Sequence, residues 1–286
     1  MEGQPEKDFF SSLWVVLVIY KMKISESPTY QSLTSALQHC NKSISLFIYD
    51  NSPRAQEVLT NSLWRTHYQH DPSNNGVSKA YNEGFKKAKS ENKSWMLLLD
   101  QDTTFTSDIL DSYEEACKKN SLHEIFAPIV KNEMKIISPF RFSLGRGASL
   151  SNIHGGTYSI NDLRFINSGL LISVRLFEKC SGYDEGFPLD FSDLSFAWRV
   201  KKFQNEFVVV DRVCSHSLSS SEKSSSMMLS RFQFFLRSSR LYGKLYSSSF
   251  FLFLNRFFRA MKLSYKFRSW EFVLLFIRIE RERTSS

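Results

Sequence analysis

The amino-acid sequence predicts an α/β protein with a mainly parallel sheet flanked by helices, followed by a helical tail rich in basic and aromatic residues. Three observations carry this expectation. Short apolar runs stop abruptly at polar or acidic residues, as buried parallel strands do when only their carboxyl ends meet solvent. Segments of helical spacing stand between those runs. The composition then changes near residue 227, where Phe, Arg and Lys begin to alternate.

Residues 14–20 (WVVLVIY) are apolar and rich in β-branched side chains, which suits a buried first strand. Residues 25–28 break it, and 30–39 carry Leu33 and Leu37 at helical spacing. A second strand is predicted over 44–49, ending in Asp50-Asn51-Ser52-Pro53. Asp50 there can face the N–H of a pyrimidine base or belong to an ordinary Asx-Pro turn. Residues 58–64 read as a helix and 66–70 as a short third strand. In Asn74-Asn75-Gly76-Val77-Ser78-Lys79-Ala80-Tyr81-Asn82-Glu83-Gly84, Gly76 allows a tight turn. Ala80 and Gly84 give the following helix a face that can lie close to another backbone. A loop entering a helix in this way offers free N–H groups to a diphosphate.

The central stretch is Trp95-Met96-Leu97-Leu98-Leu99-Asp100-Gln101-Asp102-Thr103-Thr104. Four apolar residues end at two carboxylates in D-x-D spacing, and ligands of open α/β sheets bind at such strand ends. The pair can hold a hard divalent cation that leaves positions for phosphate oxygens, or can serve as a helix cap and a solvated turn. A helix capped by Thr106 or Ser107 is predicted over 107–120, and a strand over 125–130 with Pro128 marking an edge or a bend. The segment 135–156, with four glycines among polar residues, reads either as a substrate loop or as a surface excursion. A strand with a polar entrance is predicted over 165–173, a helix over 194–203 and a last strand over 207–210. Asp190, Ser192 and Asp193 stand near the start of that helix, where they can cap it or carry chemistry. His216 follows the last strand.

Composition narrows the classes. Hydrophobic residues make up 42% of the 286 positions, ample for a packed core. Residues 227–286 hold twelve Lys and Arg against three Glu, so the chain's net +8 resides in the tail. The four cysteines have no CxxC spacing and read as reduced thiols. Glu6 and Lys7 precede Phe9 and Lys21-Met22-Lys23 closes the first apolar run, so no secretory signal is read, and no run is long enough to span a membrane.

Taken together, VVLVIY at 15–20, YDNS at 49–52, NNGVSKAYNEG at 74–84, LLLDQDT at 97–103, NSGLLIS at 167–173 and GYDEGFPLDFSDLSFAWR at 182–199 resemble glycosyltransferase family 2. The resemblance is to its inverting GT-A enzymes, and among them the bacterial rhamnosyltransferase-like branch. It implies a GT-A Rossmann-like catalytic domain over residues 10–225, with residues 226–286 as an amphipathic tail. It implies nucleotide-sugar binding by Asp50, Asn51, Asn75, Gly76, Asn82, Asp100, Gln101 and Asp102, and Mg²⁺ or Mn²⁺ binding by Asp100, Asp102 and His216. Asp193 falls at the family's catalytic base. Ser195 departs from the pattern, standing where relatives commonly carry Asp or Glu, which leaves Asp190 as a substitute base; His216 is followed by Ser217-Leu218-Ser219 rather than the usual Arg-containing continuation.

The implied reaction is inverting transfer of a sugar, rhamnose from dTDP-rhamnose by resemblance, to a hydroxyl of a lipid-linked surface glycan such as O-antigen. Galactofuranose, glucose and N-acetylhexosamine donors use the same scaffold. The tail's apolar and basic residues suit an interfacial helix on anionic lipid, placing the protein at the cytoplasmic face of a bacterial inner membrane; packing on the catalytic domain is the alternative. Two other classes compete. A nucleotide-sugar-binding scaffold without turnover fits the Ser195 departure. A nucleotidyltransferase needs a glycine-rich basic loop after the first strand, and residues 21–28 contain no Gly. Nucleic acid is excluded as a partner, because the charge is confined to the tail and no binding motif accompanies it.

Overall fold

Seven hydrophobic residues, Leu13–Ile19, form β1, and every one is buried. Such a strand needs cover on both faces. The computed structural model, which describes residues 8–58, 60–217, 224–246 and 249–282, supplies it with two apolar clusters. Trp14, Val16 and Val18 point into one and Leu13, Val15, Leu17 and Ile19 into the other.

The first part of the chain builds the predicted parallel sheet. After the short helix α1 (Phe9–Ser12) and β1 come α2 (Pro28–Cys40), β2 (Ile44–Asp50), β3 (Trp64–His70), α3 (Val77–Ser90) and β4 (Trp95–Leu99). Strands β3, β2, β1 and β4 lie side by side, all parallel. Pro28 opens α2 and Ser27 caps it by accepting from the Tyr30 N–H at 3.2 Å. A Cβ on Gly84 would stand 2.7 Å from Val16 Cγ2, so α3 lies against β1 through a glycine, the close approach expected of Ala80 and Gly84.

The second part adds β5 (Thr103–Thr104), α4 (Ile109–Lys119), β6 (Ile125–Asn132), β7 (Lys135–Ser138), β8 (Arg141–Ser143), β9 (Arg146–Ala148), β10 (Gly156–Ser159), β11 (Leu170–Ser173), α5 (Val174–Lys179), α6 (Ser192–Val200) and β12 (Glu206–His216). The sheet continues from β4 to an antiparallel β11, then β6, then a parallel β12, and closes with β10. The tail follows as α7 (Ser225–Leu245), α8 (Ser249–Phe267) and α9 (Glu271–Arg281). The whole is a mixed α/β architecture of GT-A, Rossmann-like type with a C-terminal helical tail.

Several local expectations are corrected. No helix forms over residues 58 and 60–63, and Leu59 lies outside the described residues; Asn61 bridges to Trp64 and leads straight into β3. The helix expected from residue 107 begins at Ile109, because Thr106 and Asp108 bond each other at 2.7 Å in the preceding turn. Pro128 sits inside the sheet, not at its edge: β11 has ended beside it, and β12 bulges between Val210 and Val213 opposite it. The strand expected over 165–173 is shortened to Leu170–Ser173. Segment 135–156 contains a β8–β9 hairpin whose Gly145 turn rests on α8. Residues 1–7, including the Glu6-Lys7 flank used to read the absence of a signal, and Leu218-Ser219 after His216 lie outside the described residues.

Candidate active site

Parallel pairing in register brings three polar strand ends together. Ile19 lies opposite Asp50, and Leu17 opposite Leu99, so the residues that follow β1, β2 and β4 share one edge of the sheet. The Asp100–Thr103 turn is held from below by α2. Buried Thr29 Oγ1 donates to Asp100 O at 2.6 Å and accepts from the Thr103 N–H at 2.9 Å, and Ser27 Oγ donates to Gln101 O at 2.6 Å. Gln101 itself bridges to β1, accepting from Tyr20 N at 2.7 Å and donating to Tyr20 O at 3.2 Å.

The two carboxylates are set apart by their partners. Asp100 accepts from Tyr81 OH at 2.8 Å. Asp102 Oδ1 lies 3.5 Å from His216 Nδ1, which is 2.8 Å from Thr103 Oγ1; Thr103 Oγ1 is also 2.7 Å from Ser168 Oγ. The pairing of β5 with the end of β12 brings His216 there across more than a hundred residues of sequence. Burial pushes both carboxyls above their ordinary value. His216 opposes this for both, Tyr81 opposes it for Asp100, and Asp100 adds to it for Asp102.

Asp50 is fully buried at the carboxyl end of β2. Its carboxylate accepts from Ser52 N at 2.8 Å, Gln56 Nε2 at 3.0 Å and Tyr68 OH at 2.8 Å. Beside it, Asn51 Oδ1 is buried with no hydrogen-bond partner among the described residues. Asn75 donates to Asp71 at 2.8 Å, and Tyr49 OH donates to the same carboxylate at 2.8 Å. Burial raises the Asp71 carboxyl, but hydrogen bonds from Asn75, Tyr49 and Ser73 outweigh that and hold it below its ordinary value.

At the start of α3 one of the N–H groups expected to be free, that of Val77, is taken by the protein itself. Val77 N donates to Pro188 O at 2.7 Å and Ser78 Oγ to Phe187 O at 2.5 Å, so the segment entering α6 covers that helix end. Gly76 (φ +90°) permits the contact, since a Cβ there would lie 2.1 Å from Pro188 O. Asn82 binds the same segment, donating to Tyr183 O and Glu185 and accepting from Tyr183 N at 2.8 Å.

These contacts position the start of α6. Phe191 precedes it with φ +66°, a left-handed conformation that turns Asp190 and Asp193 to one cavity. The cavity has a volume of about 220 Å³ and is walled by Phe140, Phe142, Phe191 and Phe235, with Arg259 among its polar groups. Asp193 keeps part of its surface open to the cavity, yet protein surrounds it on the other sides. Burial pushes its carboxyl up to about 7, opposed by the Leu194 N–H and reinforced by Asp100 and Asp190. Asp190 accepts from Arg231 at 3.2 Å through Oδ1, while Oδ2 is buried without a partner among the described residues. Ser195 is buried, its Oγ 3.3 Å from Tyr246 OH of the tail.

A divalent cation finds suitable donors here, in kind. Asp102, His216 and Asp100 supply two carboxylates and an imidazole, a set that accepts Mg²⁺ or Mn²⁺. Asp102 and His216 are adjacent, whereas Asp100 is turned toward Tyr81. Among the described residues, no three such groups already converge on one point.

The structure adds residues that sequence reading missed. Tyr81, Thr29, Thr103 and Ser168 orient the carboxylate turn, Gln56 and Tyr68 hold Asp50, and Arg231 and Arg259 come from the tail. Tyr183 stacks on Phe196 at 4.0 Å and donates to Asn167 at 2.7 Å, which in turn donates to Ser192 at 3.2 Å. Apart from their place within or beside the family-like motifs, nothing in the local sequence marks these partners; the arginines had no signal beyond the tail's composition.

Fold and strand-end geometry are of GT-A type, and comparison with known proteins agrees on the fold. The family model described as Glycosyl transferase family 2 matches residues 14–141, from β1 through the D-x-D turn to β8. Among solved structures, the chain is similar to GalNAc-T7 crystallised with UDP, GalNAc and Mn²⁺, with a TM-score of 0.58 and 12% identity over 98% of this chain and 58% of that one. It is also similar to S. aureus TarS, with a TM-score of 0.52 and 12% identity over 83% of this chain and 44% of that one. This chain therefore spans little more than half the length of the first of these and less than half of the second. No curated protein matches it.

Proposed function

We propose that this chain is an inverting glycosyltransferase that moves a sugar from a nucleoside diphosphate to a hydroxyl of a lipid-linked glycan. The observation that carries the reading is Asp193, a carboxyl near 7 that faces the cavity on one side and the field of Asp100 on the other. A base with that proton affinity is matched to neutral pH. Its carboxylate takes the proton of the acceptor hydroxyl as that oxygen bonds to the anomeric carbon in line. The bond from the anomeric carbon to the diphosphate oxygen breaks, and the nucleoside diphosphate departs.

A divalent cation, held by Asp102 and His216 with Asp100, supplies positive charge to the leaving diphosphate when bound. Tyr81 and Thr29 hold the Asp100 turn, and His216 is kept in orientation by Thr103. The pyrimidine base is read at Asp50 and Asn51, where the buried Asn51 Oδ1 has no partner among the described residues and so retains an acceptor for a pyrimidine N–H. Asn75, Gly76, Asn82 and Gln101 act behind this surface by fixing the strand ends and the α3–α6 contact. Asp190, ion-paired to Arg231, is the less suitable base.

The donor assigned by resemblance is dTDP-rhamnose. A UDP-linked donor is the second reading, favoured by the UDP in the similarly folded GalNAc-T7. The proposed catalytic domain covers residues 10–225. In the proposed tail, residues 226–286, Phe250, Phe257, Phe258, Tyr265 and Trp270 are exposed beside exposed Lys262, Lys266 and Arg268, a surface suited to the anionic cytoplasmic face of a bacterial inner membrane. No helix among the described residues is long and apolar enough to cross a membrane.

Thermal stabilisation by dTDP-rhamnose, UDP-glucose, UDP-galactose and UDP-GalNAc, each with and without Mn²⁺, tests the reading. Metal-dependent stabilisation by one donor, absent from the Asp100→Ala, Asp102→Ala double variant, is expected. Stabilisation by none of them, together with no donor turnover, would refute it.

A further inference from the structure

At the cavity beside Asp193, two polar groups have no hydrogen-bond partner among the described residues. Asp190 Oδ2 is buried without a hydrogen-bond partner, and the Arg259 guanidinium makes no hydrogen bond or ion pair among the described residues. Arg259 instead lies over the Phe235 ring, 4.0 Å from its centroid. Arg231 pairs directly with Asp190 Oδ1, whereas Arg259 feels the same carboxylate only at longer range and has no ion pair of its own among the described residues. Burial pulls its pKa below the usual guanidinium value, with Arg231 adding and Asp190 opposing.

A desolvated guanidinium fixed against an aromatic ring is pre-organised to receive a planar or tetrahedral anion through its fork of N–H groups. The apolar walls suit the C–H faces of a sugar. At about 220 Å³ the cavity lies below the roughly 300–1,000 Å³ of pockets that enclose a whole small ligand. It therefore admits one ring or one headgroup. The Gly145 turn of the β8–β9 hairpin closes it by packing on Leu252 and Asn255 of α8, with Asn255 donating to Leu144 O at 3.0 Å. One wall is thus contributed by the catalytic domain and the other by the tail.

We propose that this cavity is an acceptor subsite selective for an anionic acceptor, with Arg259 receiving the anion and Asp190 Oδ2 accepting from a sugar hydroxyl. The proposal rests on the glycosyltransferase reading, which supplies the acceptor. The anion can be a sugar carboxylate or the phosphate of a lipid linkage, since both present paired oxygens to a guanidinium. Arg259 is here a specificity-determining residue of the reaction, and the tail becomes part of the active site.

The test uses the full chain and three probes of matched apolar length: octyl β-glucoside, octyl β-glucuronide and glucose 1-(octyl phosphate). Binding is measured by calorimetry. At least one anionic probe is expected to bind about tenfold or more tighter than the glucoside, the scale of one charge-assisted hydrogen-bond pair. Arg259→Gln should reduce that preference to under about twofold, while Arg259→Lys, which keeps the charge and loses the fork, should keep part of it. The anion preferred by the wild type names the source, carboxylate or phosphate. Equal binding of the three probes, no binding of any, or a preference unchanged in both variants would overturn the inference. Donor-induced thermal stabilisation is followed in parallel in every variant; its absence in the wild type would sink the glycosyltransferase reading alone, whereas its persistence in Arg259→Gln shows that the variant is folded.

Discussion

Asp193 connects stability and activity with opposite signs, which makes Asp193→Asn the most informative substitution. A carboxyl whose value rises from 3.8 when unfolded to about 7 when folded binds its proton more tightly in the native state. The fold therefore loses stability as pH rises from about 4 to about 7, and the loss is then constant. The full displacement corresponds to about 4 kcal/mol at most. The open side of Asp193 toward the cavity lets water relieve part of that, so about 2 kcal/mol is the expected scale. Asn removes the charge at similar volume, and the variant should melt roughly 4–8 °C higher than wild type at pH 8, with little difference at pH 4. Over the same series, kcat/KM for sugar transfer should fall about 10²- to 10⁴-fold. In the wild type it should decline below pH 7 as Asp193 takes up its proton. Melting curves at the two pH values and initial rates of nucleoside diphosphate release read both effects. A variant that is less stable than wild type at pH 8, or that transfers sugar at near-wild-type rate, would refute the assignment of a strained carboxylate as base.

Tyr81→Phe removes the donor to Asp100 at 2.8 Å and should cost about 1–3 kcal/mol in denaturant unfolding. Because that bond lowers the Asp100 carboxyl, its loss raises the value further, so metal-dependent stabilisation by donor should fade at a higher pH than in wild type. Gly76→Ala drives a Cβ to 2.1 Å from Pro188 O at φ +90°, and roughly 3 kcal/mol or more should be lost, seen as a lowered melting temperature. Arg256 is 4% exposed and paired to Glu280 at 2.6 Å; Arg256→Ala should destabilise the tail by roughly 3 kcal/mol, measured as faster amide exchange in α8 and α9.

How much of this was legible depends on the range of the contact. β1, β2, β4 and α3 were readable because each carries its own signal: a continuous apolar run, or Ala80 and Gly84 at one helical face. The D-x-D turn was readable because Asp100 and Asp102 interrupt such a run. The false helix over 58–64 came from a segment that is apolar enough to be helical but lies next to β3, whose pairing with β2 takes precedence over local propensity. Of the edge or bend offered for Pro128, the edge is excluded, and the irregularity lies in the partner strand at Val210–Val213, some eighty residues away and so invisible locally. The covering of α3 by Phe187-Pro188 was invisible for the same reason. Asn82 and Gly76 were marked for a ligand, and the nearest chain they meet is the protein's own.

The tail shows why composition alone overstates a surface. Its twelve basic residues suggest a strongly cationic face, yet five have partners within the protein. Arg231 meets Asp190, Arg237 meets Glu282, Arg240 donates to the carbonyls of Ile279 and Glu282, Arg256 meets Glu280, and Arg259 stacks on Phe235. On α8 the inward positions Leu252, Arg256, Ala260 and Leu263 recur at helical spacing, while Phe250, Phe257, Phe258, Met261 and Tyr265 lie outside. Lys244, Lys262, Lys266, Arg268, Arg278 and Arg281 are the other exposed cations of the tail among the described residues. At about 1 kcal/mol each near an anionic bilayer, these six contribute about half of what the total of twelve implies, so membrane attachment would have to draw on the aromatic residues as well. One helix thus divides its residues by face: Arg259 lines the cavity, and Phe250, Phe257, Phe258, Lys262 and Lys266 are exposed on the outside. The proposed subsite and the proposed membrane surface are therefore separate faces of α8, and a substitution on the exposed face, such as Lys262→Glu with Lys266→Glu, should weaken binding to anionic vesicles while leaving the Arg259-dependent probe preference unchanged.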